Sequence, residues 1–452
     1  MYTNRNRFCL VGGLMLALFC AFPLFAQNNS PLQNGPMVGH VAMREATIWL
    51  QTRTAATVWI EYWPTDQPKN IRRSAPLQTG AEHAFTAKCI ADEVTPGITY
   101  DYRVVVNKRP VVLPYPAQFK TPPLWQWRND PPPFSIATGS CVYVNEDPYD
   151  RPGKPYGSEF EIFTSIHAAK PDLMLWLGDN VYYREVDWDS RSGMYKRYTH
   201  DRALPELQPL LANTPHYAIW DDHDYGADNS DKTFIMKETA WEIFRDFWAN
   251  PTFGIDGQKG CTTAFEYEDV DFFLLDNRYF RDADYCSACP NKTQLGEAQL
   301  DWLTNALAAS YAPWKVVAVG GQVLSTNKHH ETFSNFYAAE RDTILNRIER
   351  MNVKGVIFLT GDRHFTELSA MKNQKGNWVY DLTASPLTSG VYAGAEKEEN
   401  AWRVPGTVVT QHNYAMLRFS GPLKQRALEI SVYDKDGKVI WTRSLSQSEG
   451  VK

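Results

Sequence analysis

The sequence predicts an α/β fold preceded by a small all-β unit, and three observations carry that expectation. Beyond Phe134, apolar runs of strand length alternate with amphipathic stretches of helical spacing. Between Pro36 and Pro122 lie only short segments rich in β-branched and aromatic residues, separated by turn residues. Between these regions stands PPLWQWRNDPPP, whose proline density marks residues 123–133 as a linker. Strands alternating with helices imply a sheet covered by helices. Strands without helices imply a small antiparallel sandwich over residues 36–122.

Taken in order, the chain opens with Arg5 and Arg7 ahead of the apolar FCLVGGLMLALFCAFPLFA, and Ala26 then meets the polar QNNS. A basic start, an apolar middle and a small residue at the cut read as a secretory signal over residues 1–26. A retained membrane anchor is the alternative, but Pro23 interrupts the run and no basic stop-transfer cluster follows. No other segment is long and apolar enough to span a bilayer. The mature chain is therefore expected to be exported, to the periplasm, the cell surface or the medium. The strands of the all-β unit are ATIWLQT, TVWIEYW, AFTAKCI and TYDYRVVVN. In the α/β unit, strands FSIATGS, DLMLWLGD, DFFLLDNR, WKVVAVGGQ and KGVIFLTGDRH are expected. The helices are EFEIFTSIHAAK, DKTFIMKETAWEIFRDFW, LGEAQLDWLTNALAAS and YAAERDTILNRIERMN. ALEISVYDKDGKVIWTRSL closes the chain as a hairpin turning at Asp436-Gly437.

The length of 452 residues fits two or three domains, and a net charge of −6 gives no reason to expect nucleic acid as a partner. Removing the signal leaves five cysteines, Cys89, Cys141, Cys261, Cys286 and Cys289. An exported protein keeps disulfides, and an odd count leaves a thiol over. The CSAC pair lacks a second pair at zinc-finger spacing, which favours a structural disulfide there.

The sharpest local signal is WDDHDYGADNSD, which places Asp221, Asp222, Asp224, Asp228 and Asp231 around His223, directly after an apolar run. Like charges this dense repel, so the stretch is either a solvated acidic loop or half of a cation site. Other strand ends favour the cation. ATGSC ends in Cys141, LWLGDNVYY carries Asp179, Tyr182 and Tyr183, VIFLTGDRH carries Asp362 and His364, and VAVGGQ ends in Gln322. In α/β folds ligands gather beyond the carboxyl ends of strands. Each piece alone is weak: Gly-Asp after a strand is usually a turn, and a lone cysteine there is usually core. Together, hard oxygen donors with few imidazoles favour Ca²⁺, Mg²⁺, Mn²⁺ or Fe³⁺ over zinc, and a thiolate with a phenolate suits ferric iron.

These blocks resemble the alkaline phosphatase D (PhoD-like) family of metallophosphoesterases. GDNVYY is similar to the family's GDxxY, WDDHD stands at its G-N-H-[DE] block, GDRH at its G-H-x-H block and GSC where D-x-H usually lies. LLDNRYFRD and LGEAQLDWL resemble two further segments, so six blocks occur in the family's order over about residues 134–446. VTPGITYDYRV resembles the fibronectin type III-like modules that precede some secreted phosphatases.

The resemblance implies a four-layer α/β/β/α sandwich holding Fe³⁺ and Ca²⁺. Matched block by block, Cys141, Asp179, Tyr182 and His364 would hold iron, with Asp179 bridging. Asp222 and Asp362 would bind calcium, with Gln322 a weaker candidate. Asp221 is a ligand or a partner behind one, and Tyr183 is a poorer iron ligand than Tyr182. His223 would face the phosphoryl group as the catalytic imidazole. Arg278 and Arg363 would clamp phosphate oxygens or pair with structural carboxylates. The implied activity is hydrolysis of small phosphomonoesters and phosphodiesters, with metal-bound hydroxide attacking phosphorus. Ser140 has no Gly-x-Ser-x-Gly elbow around it and is not expected to be a nucleophile. A phospholipase D-like diesterase and a non-catalytic adhesion protein are the competing readings. His329 and His330 lie on an expected rim loop, where solvated histidines are the common case.

Overall fold

The computed structural model describes residues 30–289 and 291–452. The expected signal over residues 1–26 lies outside the described residues. Among the described residues no helix is long and apolar enough to cross a membrane.

The N-terminal region is all-β apart from a short 3₁₀ turn at Ala81–His83. Strands Leu32–Ala42, Glu45–Thr52 and Thr86–Ala91 form one antiparallel sheet, and Thr57–Pro64 pairs antiparallel with Thr99–Val106 in another. All four strands expected there are present. The first strand is an addition, because Gly35, Pro36 and Gly39 interrupt its pattern and its register shifts three times along its partner. Val38, Ile48, Leu50, Val58, Ile60, Tyr100 and Val104 fill the core of this unit. Met37 and Trp49 instead join the core of the larger unit. The Trp49 indole donates to the Asp246 carbonyl at 2.7 Å, and a Cβ at Gly39 would lie 2.2 Å from that of Ala249. The small unit therefore sits backbone-close against the large one. The linker is tied down too, since buried Arg426 donates to the carbonyls of Pro131 and Pro132 and pairs with Asp269.

The larger unit contains two mixed sheets. In the first, His216–Ile219, Leu173–Leu177 and Phe134–Gly139 run parallel, and Asn413–Ser420, Ala427–Asp434 and Val439–Ser446 continue it antiparallel. In the second, Val270–Leu274, Trp314–Ala318, Val356–Thr360 and Trp378–Thr383 are parallel, with Thr263–Tyr267 and Glu367–Lys372 antiparallel at its edges. Successive strand residues point to opposite faces, and the burial follows that period. Phe272, Leu274, Val316, Ile357 and Leu382 share one core with Ile136, Leu175, Ala218 and Leu417 of the first sheet. The alternate residues Phe273, Val317 and Phe358 pack against Leu300, Leu303 and Leu307 of helix Glu297–Ala309 and Ile344 and Ile348 of helix Ala338–Arg350. Each fully buried aliphatic side chain contributes about 1.5–3 kcal/mol.

The helix expected from Asp231 begins only at Lys237. The Asp231 carboxylate accepts from the backbone and hydroxyl of Thr233, a local turn that competes with helix. Among the described residues Cys89, Cys141 and Cys261 are free thiols, all buried, and Cys286 pairs with Cys289. Cysteine parity leaves one thiol over, whereas the structure leaves these three free.

Candidate metal centre

Three parallel strands of the first sheet deliver Cys141, Asp179 and Asp221–Asp222 at their carboxyl ends, and one strand of the second delivers Asp362 and His364. The two groups meet because glycines clear the seam. A Cβ at Gly361 would lie 2.6 Å from the Leu177 carbonyl of the opposite sheet. One at Gly320 would lie 2.4 Å from Asp221 Oδ2. Cys141, Asp179, Asp362 and His364 all hold positive φ, between 51° and 66°. Left-handed backbone costs about 1–3 kcal/mol at a non-glycine residue and gathers at functional sites.

Cys141 Sγ donates to Asp179 Oδ2 at 3.5 Å, and the Tyr182 hydroxyl donates to the same oxygen at 3.1 Å. Tyr182 Oη also lies 3.2 Å from His364 Nε2. Ser385 donates to Cys141 Sγ at 3.2 Å. The candidate ligand atoms of Cys141, Asp179 and His364 lie within 4.8 Å of one another, and so do those of Asp179, Asp222 and His223. Asp179 belongs to both groups, the arrangement that a bridging carboxylate requires.

Burial pushes the Asp179 carboxyl well above its ordinary range, and the neighbouring Cys141 and Asp222 add to it. Burial does the same at Asp362, with Glu331 and Asp221 adding to it. It also raises the Cys141 thiol to about 12, despite hydrogen bonds from Ser140 and Ser385. At Asp222 burial also pushes upward, but the charges of His223 and Arg278 outweigh it and hold that carboxyl below the usual range. Protein charge thus outweighs burial at Asp222 but not at Asp179 or Asp362. Asp221 Oδ2, Asp222 Oδ1 and His223 Nδ1 are buried without a hydrogen-bond partner, so the donor set fits cation binding.

The remaining sequence candidates are placed as follows. Arg278 does not line the cavity. Its guanidinium is buried, donates to Asp221 and Glu331, and stands 3.6 Å from Asp222. Asp221 also accepts from Asn277 at 2.7 Å, so it is held from behind by both residues. Gln322 Oε1 accepts from Arg363 at 2.7 Å, and Arg363 also donates to Glu398. Tyr183 is buried and does not line the cavity, its backbone N–H donating to the His223 carbonyl at 3.3 Å. Replacing Arg278 with leucine is expected to destabilise the fold by about 3–5 kcal/mol, because buried carboxylates lose their counter-charge. Denaturant unfolding checks this, and a phosphate clamp would instead leave stability unchanged while raising KM.

A cavity of about 530 Å³ opens over the cluster. Asp179, Asp222, Asp362, His364 and His223 reach it, as do Arg363, His329 and His330. His223 packs against Tyr182 with ring centroids 4.2 Å apart and the planes tilted by 31°, and its Nε2 lies 3.7 Å from Asp228 Oδ1. Sequence reasoning assigned no role to Tyr156, Asn229, Asp284, Tyr285 or Glu331, which also line the cavity. Tyr156 Oη lies 3.1 Å from His364 Nδ1, and the Asn229 amide donates to Asp222 Oδ2 at 2.7 Å. None of the five stands directly at a strand end or in one of the family's motif blocks.

The sequence model of the PhoD-like phosphatase family matches residues 140–427, and that of a domain of unknown function matches residues 29–124. Alkaline phosphatase D of Bacillus subtilis (strain 168) is 25% identical over 281 residues, 50% of this chain and 48% of that protein. The match thus spans about half the length of the curated relative. Among solved structures, that of PhoD superposes with a TM-score of 0.78 at 18% identity, covering 94% of this chain and 92% of that one. A purple acid phosphatase from yellow lupin (Lupinus luteus) seeds superposes with a TM-score of 0.65 at 12% identity, covering 92% and 75%. Both share the mixed α/β fold.

Proposed function

Because the chain belongs to the PhoD-like phosphatase family, we propose that it is a metal-dependent hydrolase of small phosphoric esters, taking phosphomonoesters and phosphodiesters. The observation that carries this reading is the pair of donor groups sharing Asp179 on the floor of a cavity that His223 also lines. Cys141, Tyr182, His364 and Asp179 would hold ferric iron, and Asp222 and Asp362, with Asp179, would hold calcium. Such ions supply positive charge to the phosphate oxygens and lower the pKa of a coordinated water.

The chain's own residues do the rest. Asp179 keeps the two halves of the donor set at fixed separation. Asn229 and Arg278 orient Asp222 and Asp221. His223, packed against the Tyr182 ring, donates a proton to the leaving oxygen from the cavity wall. The helix–sheet–sheet–helix layering, with a fibronectin III-like N-terminal unit, belongs to the same reading. So does export, supported by the basic-apolar start of the chain and by a disulfide at Cys286–Cys289, which suits an oxidising compartment.

The test is an assay of matched mono- and diesters before and after chelation with a calcium-selective reagent and readdition of Ca²⁺. Activity should vanish and return. Cys141→Ser is expected to fold, since Ser140 and Ser385 already surround the position with hydroxyls, and to bind iron at least about 100-fold more weakly. Iron content and the visible charge-transfer band check it, and unchanged iron would remove Cys141 from the ligand set.

A further inference from the structure

Tyr285 lines the cavity mouth and is 88% exposed. Phe336 lines the same wall, its ring centroid 5.3 Å from that of Tyr285 at an interplanar angle of 77°. Two rings set edge to face make an apolar corner with one open aromatic surface. The backbone beneath is anchored. The Cys286–Cys289 disulfide follows Tyr285 directly. Asp284, just before it, takes hydrogen bonds from Arg281 at 2.8 Å and from the Tyr337 hydroxyl at 2.6 Å. The Lys292 ammonium donates to the Asp284 carbonyl and lies 5.3 Å from the Phe336 centroid. The exposed ring is thus presented on a braced loop, and little order is left to impose when a ligand stacks on it. At about 530 Å³ the cavity is also larger than a phosphate group alone needs.

We propose that Tyr285 and Phe336 form a subsite for the leaving alcohol, and that it takes a planar aromatic ring, from either a nucleoside or an aryl group. The inference rests on the phosphatase reading and names its preferred substrate class. A ring stacked at the mouth would leave the ester phosphate directed into the cavity that Asp179 and His223 line. Aliphatic alcohols present no such face.

The experiment compares kcat/KM for adenosine 5′-monophosphate, phenyl phosphate and glycerol 3-phosphate, esters of equal charge, in the wild-type enzyme and Tyr285→Ala. The ratio of each aromatic ester to the glycerol ester should fall roughly 10- to 100-fold, the scale of lost ring stacking, and the change should sit in KM. A fall for one aromatic ester alone identifies the nucleoside or the aryl group as the source. A control Tyr311→Ala, at a fully exposed tyrosine outside the cavity, should leave the ratios unchanged. Unaltered ratios in Tyr285→Ala, or equal losses on all three esters, would overturn the subsite. If the wild-type protein cleaves none of the esters, the phosphatase reading fails instead. Calorimetric binding of adenosine and of phenol to both proteins then decides the subsite by itself: weaker binding to Tyr285→Ala supports it, and equal or absent binding overturns it.

Discussion

Asp179→Asn is expected to lower turnover by about 10⁴-fold or more, the scale on which one member of a cooperative catalytic unit is lost, and to weaken both halves of the metal site together. The substitution keeps the shape and removes the charge. Asp179 is the one residue shared by the two donor groups. Its Oδ2 faces Cys141 and Tyr182, and its Oδ1 accepts from the His223 amide at 3.4 Å. An amide has one acceptor oxygen and no charge, so it cannot bridge two cations as a carboxylate does. The fold should survive, because asparagine is among the residues that best tolerate the positive φ of 51° held here. Without metal the variant should be no less stable than the parent, since burial already opposes ionisation of this carboxyl. Steady-state kinetics with metal content and thermal unfolding checks all three statements. A variant that loses only one metal would make Asp179 a terminal ligand.

His223→Ala should lower turnover by roughly 10²- to 10⁴-fold, the usual worth of a positioned general acid, while metal content stays close to that of the parent. The imidazole reaches the cavity, and its ring plane is set by Tyr182 beneath it. Its Nε2 looks toward the exposed Asp228, and its Nδ1 is buried without a partner. One nitrogen is thus free to serve the leaving oxygen or an ion, and the two roles separate cleanly. Loss of a proton donor lowers kcat most for poor leaving groups and least for acidic phenols. Loss of a ligand lowers metal content and rate in step for every ester, and that outcome would transfer His223 to the metal set.

The strand-end chemistry was legible in the sequence because apolar runs fix where strands stop, and Cys141, Asp179, Asp222, Asp362 and His364 all follow such runs. Their convergence could not be read from spacing, since it depends on two sheets meeting where Gly320 and Gly361 leave no side chain. For Arg278, beside a strand end, the sequence leaves a phosphate clamp and a partner of structural carboxylates equally open. Its burial among Asp221, Asp222 and Glu331 is a tertiary fact, set by a loop more than 50 residues away. Helix Arg191–Asp201 is not legible in RSGMYKRYTHD, because charged and polar residues dilute its apolar face. It is held by Met194, Tyr195 and Tyr198 in the shared core, by the Ser190 cap and by buried Arg197, paired with Asp187 and Asp201. Tyr156, Tyr285 and Glu331 sit on loops, where pattern carries no information about which side chain faces inward.

We propose that the thiol, phenol, imidazole and carboxylates of this cluster would hold iron and calcium, with Asp179 common to both donor groups. Elemental analysis of the purified protein, read with its visible spectrum, tests that claim most directly. The account predicts iron and calcium together, and a colour from thiolate and phenolate charge transfer that survives calcium chelation while activity does not. A colourless, iron-free protein that is fully active with zinc alone would contradict it.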